Sequence, residues 1–259
     1  SVGTGITYQF VSQAVEKALE APEDFVWSYI AVMFYNNQEQ HSLYLTADYS
    51  DDKRILAVVE NFEKQFEKQL GKDITKEERL GIKKLVMQTY LRALALDKCA
   101  DYGLEALKEF DNFFIRENTM YALLKTGRYD ECLKLANEVK DDTNPVPLYY
   151  AAAATLESGE FDASAEYVLE LAKQVKTSEY PKKADELLHS YFSLLVVDTE
   201  TTKAKYSLLS DEQINKLNSD EFLKNYLEAY VNACYPSYGG HSIYDDAYTQ
   251  AMETALIAA

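Results

Sequence analysis

Two copies of one helical phrase, 32 residues apart, constrain the fold of this chain more than any other feature. The first copy reads Gly127-Arg128-Tyr129-Asp130-Glu131-Cys132-Leu133 and the second Gly159-Glu160-Phe161-Asp162-Ala163-Ser164-Ala165. Self-similarity at a fixed period of about 20 to 50 residues is the mark of stacked supersecondary units. In each copy an apolar helical stripe (Met120, Leu123, Leu124 in one; Leu148, Ala152, Leu156 in the other) runs into the glycine. Glycine tolerates the left-handed backbone that closes a helix, so it is the turn. An aromatic and then an acidic residue follow, placing a carboxylate in the first turn of the next helix, where the helix dipole favours it. Cys132, Leu133, Ala136 and Val139, or Ser164, Ala165, Val168 and Leu171, continue at helical spacing. Their small members let two helices approach closely. Pro145 and Pro181 close the copies, because proline cannot continue a helix interior.

These residues resemble the tetratricopeptide repeat family, in which a glycine precedes an aromatic, acidic residues and a small residue, with a proline at the close. The resemblance covers two repeats, at about 116–145 and 146–181, and a weaker third at about 219–259, where Ile243-Tyr244-Asp245-Asp246-Ala247-Tyr248, Ala251 and Ala255 read as a second helix of the same kind. The first helices lack the large aromatic and Leu-Gly pair of the family, and Cys132 and Ser164 stand where alanine is commonest. The fold expected is all-α: stacked antiparallel helical hairpins in a TPR-like α-α superhelix with divergent N-terminal helices. Residues 1–52 form an N-terminal hairpin and irregular segment, and 53–259 the repeat array.

Composition agrees with an all-helical chain. Glycine and proline number 9 and 5 in 259 residues, and no apolar run approaches the length of a membrane span. The formal charge of −17 repels phosphate backbones and anionic membrane surfaces, so nucleic acid is not an expected partner. A basic peptide or a cation suits it, although excess acid is also an ordinary solvated surface. Cys99, Cys132 and Cys234 are odd in number and have no metal-ligand spacing, so they form no disulfide framework, and Cys99 and Cys132, on apolar helical faces, read as buried thiols. The chain starts at Ser1 with no initiator Met and no basic-then-apolar leader. It reads as a processed chain or excised domain, soluble and either cytoplasmic or part of a membrane-anchored or secreted protein.

The flanks are helical as well. Tyr8, Val11, Val15 and Leu19 form one stripe; Pro22, Glu23 and Asp24 open a second helix through Phe25, Tyr29, Val32 and Met33, whose aromatics read as core. Residues 41–49 read as a loop-bounded irregular segment. Arg54 to Leu70 is strongly amphipathic and ends at Gly71. Thr75 and Glu78 make a capping box, and a long helix is expected through Leu96. Beyond Gly103 the stripe Leu104, Leu107, Phe110, Phe114, Tyr121, Leu124 is one long helix or two meeting near Phe114. A helix follows Pro181, then a polar linker at 198–205, short helices opening at Ser210 and Ser219, and the loop Tyr235-Pro236-Ser237-Tyr238-Gly239-Gly240.

Signatures of chemistry are missing: there is no glycine-rich phosphate loop, no HExxH, no GxSxG and no calcium-loop spacing. Cys234 and His241 lie seven apart without a third ligand, and His189 sits beside an apolar stripe as a packing residue. No catalytic residue, metal or cofactor is expected. The function expected is a non-catalytic protein-protein interaction scaffold holding a peptide or protein segment. Asn118, Tyr121, Lys125, Tyr149, Tyr150, Ala153 and Glu157 lie on first helices, which in the resembled family line the concave surface. The alternatives are an assembly domain of an envelope or multiprotein complex, and a helical-scaffold enzyme such as a glycan hydrolase, for which the abundant carboxylates single out no pair.

Overall fold

The apolar stripes of the sequence become ten α-helices among the described residues: α1 Val2–Glu20, α2 Phe25–Asn36, α3 Arg54–Leu70, α4 Lys76–Arg92, α5 Leu96–Leu107, α6 Phe113–Lys125, α7 Tyr129–Asn137, α8 Pro145–Glu157, α9 Phe161–Thr177 and α10 Pro181–Leu195. A two-residue antiparallel ladder pairs β1 (Val196–Val197) with β2 (Lys205–Tyr206). The coordinates are a computed structural model that describes residues 2–36, 53–139, 143–177, 179–197 and 205–206. Apart from that ladder, the regular structure of the described residues is helical, as the composition implied. The irregular segment at 41–49, the short helices after Ser210, the third repeat and the Cys234–His241 pair lie outside the described residues, as does the linker apart from Lys205.

Local chemistry explains the helix ends. Asp24 Oδ1 accepts from Val26 N at 2.9 Å to open α2. Thr75 and Glu78 form the expected capping box: Thr75 Oγ1 accepts from Glu78 N at 3.1 Å, and Glu78 accepts from Thr75 N at 2.8 Å. Asn112 and Asn144 cap α6 and α8. Gly127 and Gly159 have φ of +74° and +86°, the left-handed conformation for which glycine carries no Cβ penalty. Pro145 and Pro181 stand at helix starts, where the missing N–H costs nothing.

One expected boundary is corrected and one open alternative is decided. The helix from Thr75 stops at Arg92 rather than Leu96: Leu94 takes φ 54°, Ala95 N turns back to Tyr90 O at 2.9 Å, and α5 starts afresh at Leu96. Of the two readings of the stripe beyond Gly103, the structure has two helices: α5 runs through Gly103 to Leu107, and α6 starts at Phe113, next to Phe114. Gly103 is there because a Cβ would meet Thr119 Oγ1 at 2.0 Å and Met87 Cε at 3.0 Å.

The chain divides into two compact units, Ser1–Thr126 and Gly127–Ala259. In the first, each helix packs on its sequence neighbour, and α1 also meets α3, α2 meets α4, and α4 meets α6. The N-terminal pair thus shares a unit with the helices after residue 52. Val15, Val32, Ile55, Phe62, Met87, Ile115 and Leu123 are among its buried side chains. Phe25 stacks on Phe62, with centroids 5.5 Å apart, and touches Phe66. The expectation that the aromatics of α2 are all core fails on one face, because Tyr29 and Phe34 remain 43% and 44% exposed.

In the second unit α8 packs on α7, α9 and α10. Its sequence, PVPLYYAAAATLE, is apolar nearly all round, which is the signature of an enclosed helix. Ser164 Oγ donates to Ala152 O at 2.8 Å and shares a 2.6 Å hydrogen bond with the buried Tyr191 hydroxyl, tying α8, α9 and α10 together. Cys132 and Ser164, the small residues of the two copies, are both fully buried.

Candidate functional site

Because α6 starts at the Asn112 cap, Phe114, Asn118, Tyr121 and Lys125 fall at steps of four, three and four and form one stripe along it. Asn118 Nδ2 donates to Phe114 O at 2.7 Å, and the side chain is half-buried. Lys125 Nζ lies 5.9 Å from the centre of the Tyr121 ring, which is 38% exposed. At the other end Lys84, from α4, places its ammonium 5.8 Å from the Phe114 ring. Cation–π pairs at exposed sites are worth about 0.5–1 kcal/mol, so a partner can exchange them at little cost. The stripe thus offers aromatic faces, an amide and two ammonium groups from three of the sequence-expected residues plus Lys84 and Phe114. Lys84 could not be found from spacing, since only the packing of α4 on α6 brings it there.

The expected residues of the second unit separate. Tyr149 is half-buried, with its ring edge-on to Tyr150 at 5.1 Å, whereas Tyr150 is 7% exposed and Ala153 is fully buried, enclosed with the rest of α8. Glu157 is exposed at the helix end. Only Tyr149 and Glu157 are therefore accessible. A cleft of about 240 Å³ opens elsewhere in this unit, between α7, α8 and α9, over Pro147 and Leu148 and beside Asn137, Tyr167 and Glu170. Tyr167 and Asn137 exchange hydrogen bonds of 3.1 and 3.2 Å across it, and Glu170 pairs with Lys173. Three helices build this cleft, so no single-segment pattern announced it.

A further cluster joins α3, α4 and α5. Glu63 Oε1 receives Lys83 Nζ at 2.7 Å and the Tyr102 hydroxyl at 2.6 Å, while the same ammonium stands 5.0 Å from the centre of the Tyr102 ring. Burial, with the hydrogen bond to Glu63 behind it, pushes the Tyr102 phenol well above its ordinary pKa. Burial and the nearby Glu60 and Glu63 carboxylates push Tyr90 up to about 12. Both phenols stay protonated near neutral pH. The three partners satisfy one another, which makes the cluster a clamp across three helices.

Burial raises the Cys99 and Cys132 thiols to about 12, so neither is a ready nucleophile. It lowers the His189 imidazole, against an opposing pull from Asp185. Among the described residues no group of three His, Cys, Asp or Glu side chains is arranged to hold a metal, and no helix is long and apolar enough to cross a membrane. No protein-family model matches the sequence, no curated protein matches it, and no solved structure matches the fold.

Proposed function

We propose that this chain is a non-catalytic helical-repeat scaffold of the tetratricopeptide kind, whose first helices bind a peptide or protein segment. The observation that carries the reading is the combination of two left-handed glycine turns 32 residues apart with helices that pack on their sequence neighbours within each unit, and in four cases (α1 on α3, α2 on α4, α4 on α6, α8 on α10) on the next helix but one. That pattern is the one expected of stacked hairpins. On this reading Asn118, Tyr121 and Lys125 on α6 form a partner-contacting face of the first unit, and Tyr149 and Glu157 on α8 one of the second. The charge of −17 favours a basic partner.

The test is to pan a random-peptide display library on the full chain, and then to measure the enriched peptides against Tyr121→Ala/Lys125→Ala and Tyr149→Ala/Glu157→Ala. The expected result is a loss of about tenfold or more in affinity for at least one double variant, as for interface residues worth 1–2 kcal/mol. Enriched peptides that bind both variants like the parent, or a library with no enrichment, would reject the proposal.

A further inference from the structure

Charge in the first unit is unevenly spread. The chain carries −17, yet α4 and α6, which pack on each other, together hold seven basic and three acidic residues, a net +4. Four of the seven basic groups are engaged: Arg79 pairs with Glu109, Lys83 with Glu63 and Arg116 with Asp111, and Arg92 donates to Tyr35 O. The other three, Lys76, Lys84 and Lys125, have no carboxylate partner among the described residues. Each ammonium stands over an aromatic ring instead, 5.8 Å from the centre of Phe110, 5.8 Å from that of Phe114 and 5.9 Å from that of Tyr121. Of the acidic residues, Glu78 is held in its capping box. Glu77 lies about two turns from Lys84, and Glu117 stands about 70° round α6 from the middle of the stripe that runs from Phe114 to Lys125.

We infer that this strip binds an acidic segment of a partner protein, laid extended along α6 with side-chain carboxylates on Lys84 and Lys125 and an apolar residue between them on the Phe114 and Tyr121 rings. The inference rests on the α6 face proposed above and names the chemistry of its partner. The chain's −17 suits basic partners elsewhere on the surface, whereas contacts at the strip are decided by the groups within a Debye length of about 8–10 Å. An ammonium over a ring keeps its charge and its donors. A carboxylate can therefore replace the ring with a charge-assisted hydrogen bond, the stronger contact. Phe114 and Lys125 are eleven residues apart on α6, about 16 Å, which an extended chain covers in about five residues. A nucleic-acid backbone matches the strip less well, because its charge continues past the strip onto acidic surface that repels it.

Peptides enriched from a random display library on the full chain, amidated at their C-termini, test this when their affinities for the parent and for Lys84→Glu/Lys125→Glu are compared by fluorescence anisotropy. At least one enriched family should carry Asp or Glu residues about four to six positions apart and bind the variant about tenfold or more weakly than the parent. Its affinity should fall severalfold between about 50 and about 500 mM NaCl. Exchanging those acidic residues for Lys should abolish binding to the parent and restore it to the charge-reversed variant, a rescue that a misfolded variant cannot give. Lys134→Glu, at an exposed position in the second unit, should leave affinity nearly unchanged. Strip-dependent peptides that are neutral or basic, or enriched peptides sensitive only to Tyr149→Ala/Glu157→Ala, would overturn the inference and leave the scaffold reading standing. So would an oligothymidylate that displaces the acidic peptide and binds the strip more tightly. No enrichment, or peptides indifferent to every variant, would overturn both.

Discussion

Ser28 and Ser164 each carry a hydroxyl into the interior and meet opposite surroundings. Ser28 Oγ has no hydrogen-bond partner among the described residues, whereas Ser164 Oγ links Ala152 O to the Tyr191 hydroxyl. A buried polar atom without a partner has lost its hydration for nothing, while removing one member of a satisfied network orphans the others. Ser28→Ala should therefore leave stability unchanged or raise it by up to about 1 kcal/mol, and Ser164→Ala should cost about 1–3 kcal/mol. Urea titration of both variants checks the contrast; equal effects would contradict it. In the sequence Ser164 reads only as a small residue standing in for alanine. Its size was legible there, but its partner Tyr191, 27 residues away, becomes a neighbour only when α9 packs on α10. The same holds for Glu63, Lys83 and Tyr102, which three separate helices supply.

Elements whose limits depend on their own residues could be read directly. The span Arg54–Leu70, the Thr75–Glu78 box and the glycine turns at 127 and 159 are local events, decided within a few residues of the signal. The break after Arg92 is different: the segment Leu91-Arg92-Ala93-Leu94-Ala95-Leu96 holds strong helix formers and no glycine or proline, yet Leu94 turns left-handed there. That conformation costs a non-glycine residue about 1–2 kcal/mol. The side chain is 65% exposed and so returns little packing energy. Replacing it with glycine should stabilise the chain by about 1 kcal/mol, a rise of roughly 2–4 °C in Tm. Gly103→Ala should act the other way, losing about 1–3 kcal/mol, because the new methyl strikes Thr119 and Met87. Thermal unfolding followed by circular dichroism measures both shifts, and a stabilising Gly103→Ala would mean that α5 and α6 can part without penalty.

At the scale of the whole molecule, tyrosine and charge act together at high pH. The chain has 21 tyrosines and a net charge of −17 near neutrality. Tyr90 and Tyr191 are raised to about 12 by burial, and Tyr102 is raised as well, so phenols of this kind occur in both units. The site faces were only partly legible because exposure is a property of the packed molecule: Tyr121 and Ala153, 32 residues apart, occupy equivalent positions of the two copies, and neighbours enclose only the second. That packing decides which phenols resist ionisation. For a group whose folded pKa exceeds its unfolded pKa of about 10, the stabilisation is complete below 10 and is lost as pH rises towards the folded value. Tyr191, fully buried, contributes roughly 2 kcal/mol to this loss by pH 12. Lysines lose their protons over the same range, so the net charge becomes more negative and self-repulsion adds to the effect. The chain should therefore unfold cooperatively between about pH 10 and 12, with part of the tyrosinate absorbance appearing only as helical circular dichroism disappears. Tyr191→Phe separates the two roles of that side chain. Without the hydroxyl bonded to Ser164 the variant should be less stable near neutral pH by about 1 kcal/mol. Without the proton to lose, its stability should fall less steeply above pH 10, so that the two stability curves converge or cross. Tyrosinate absorbance that completes while the helices remain folded would show that these phenols are open to solvent and refute the prediction.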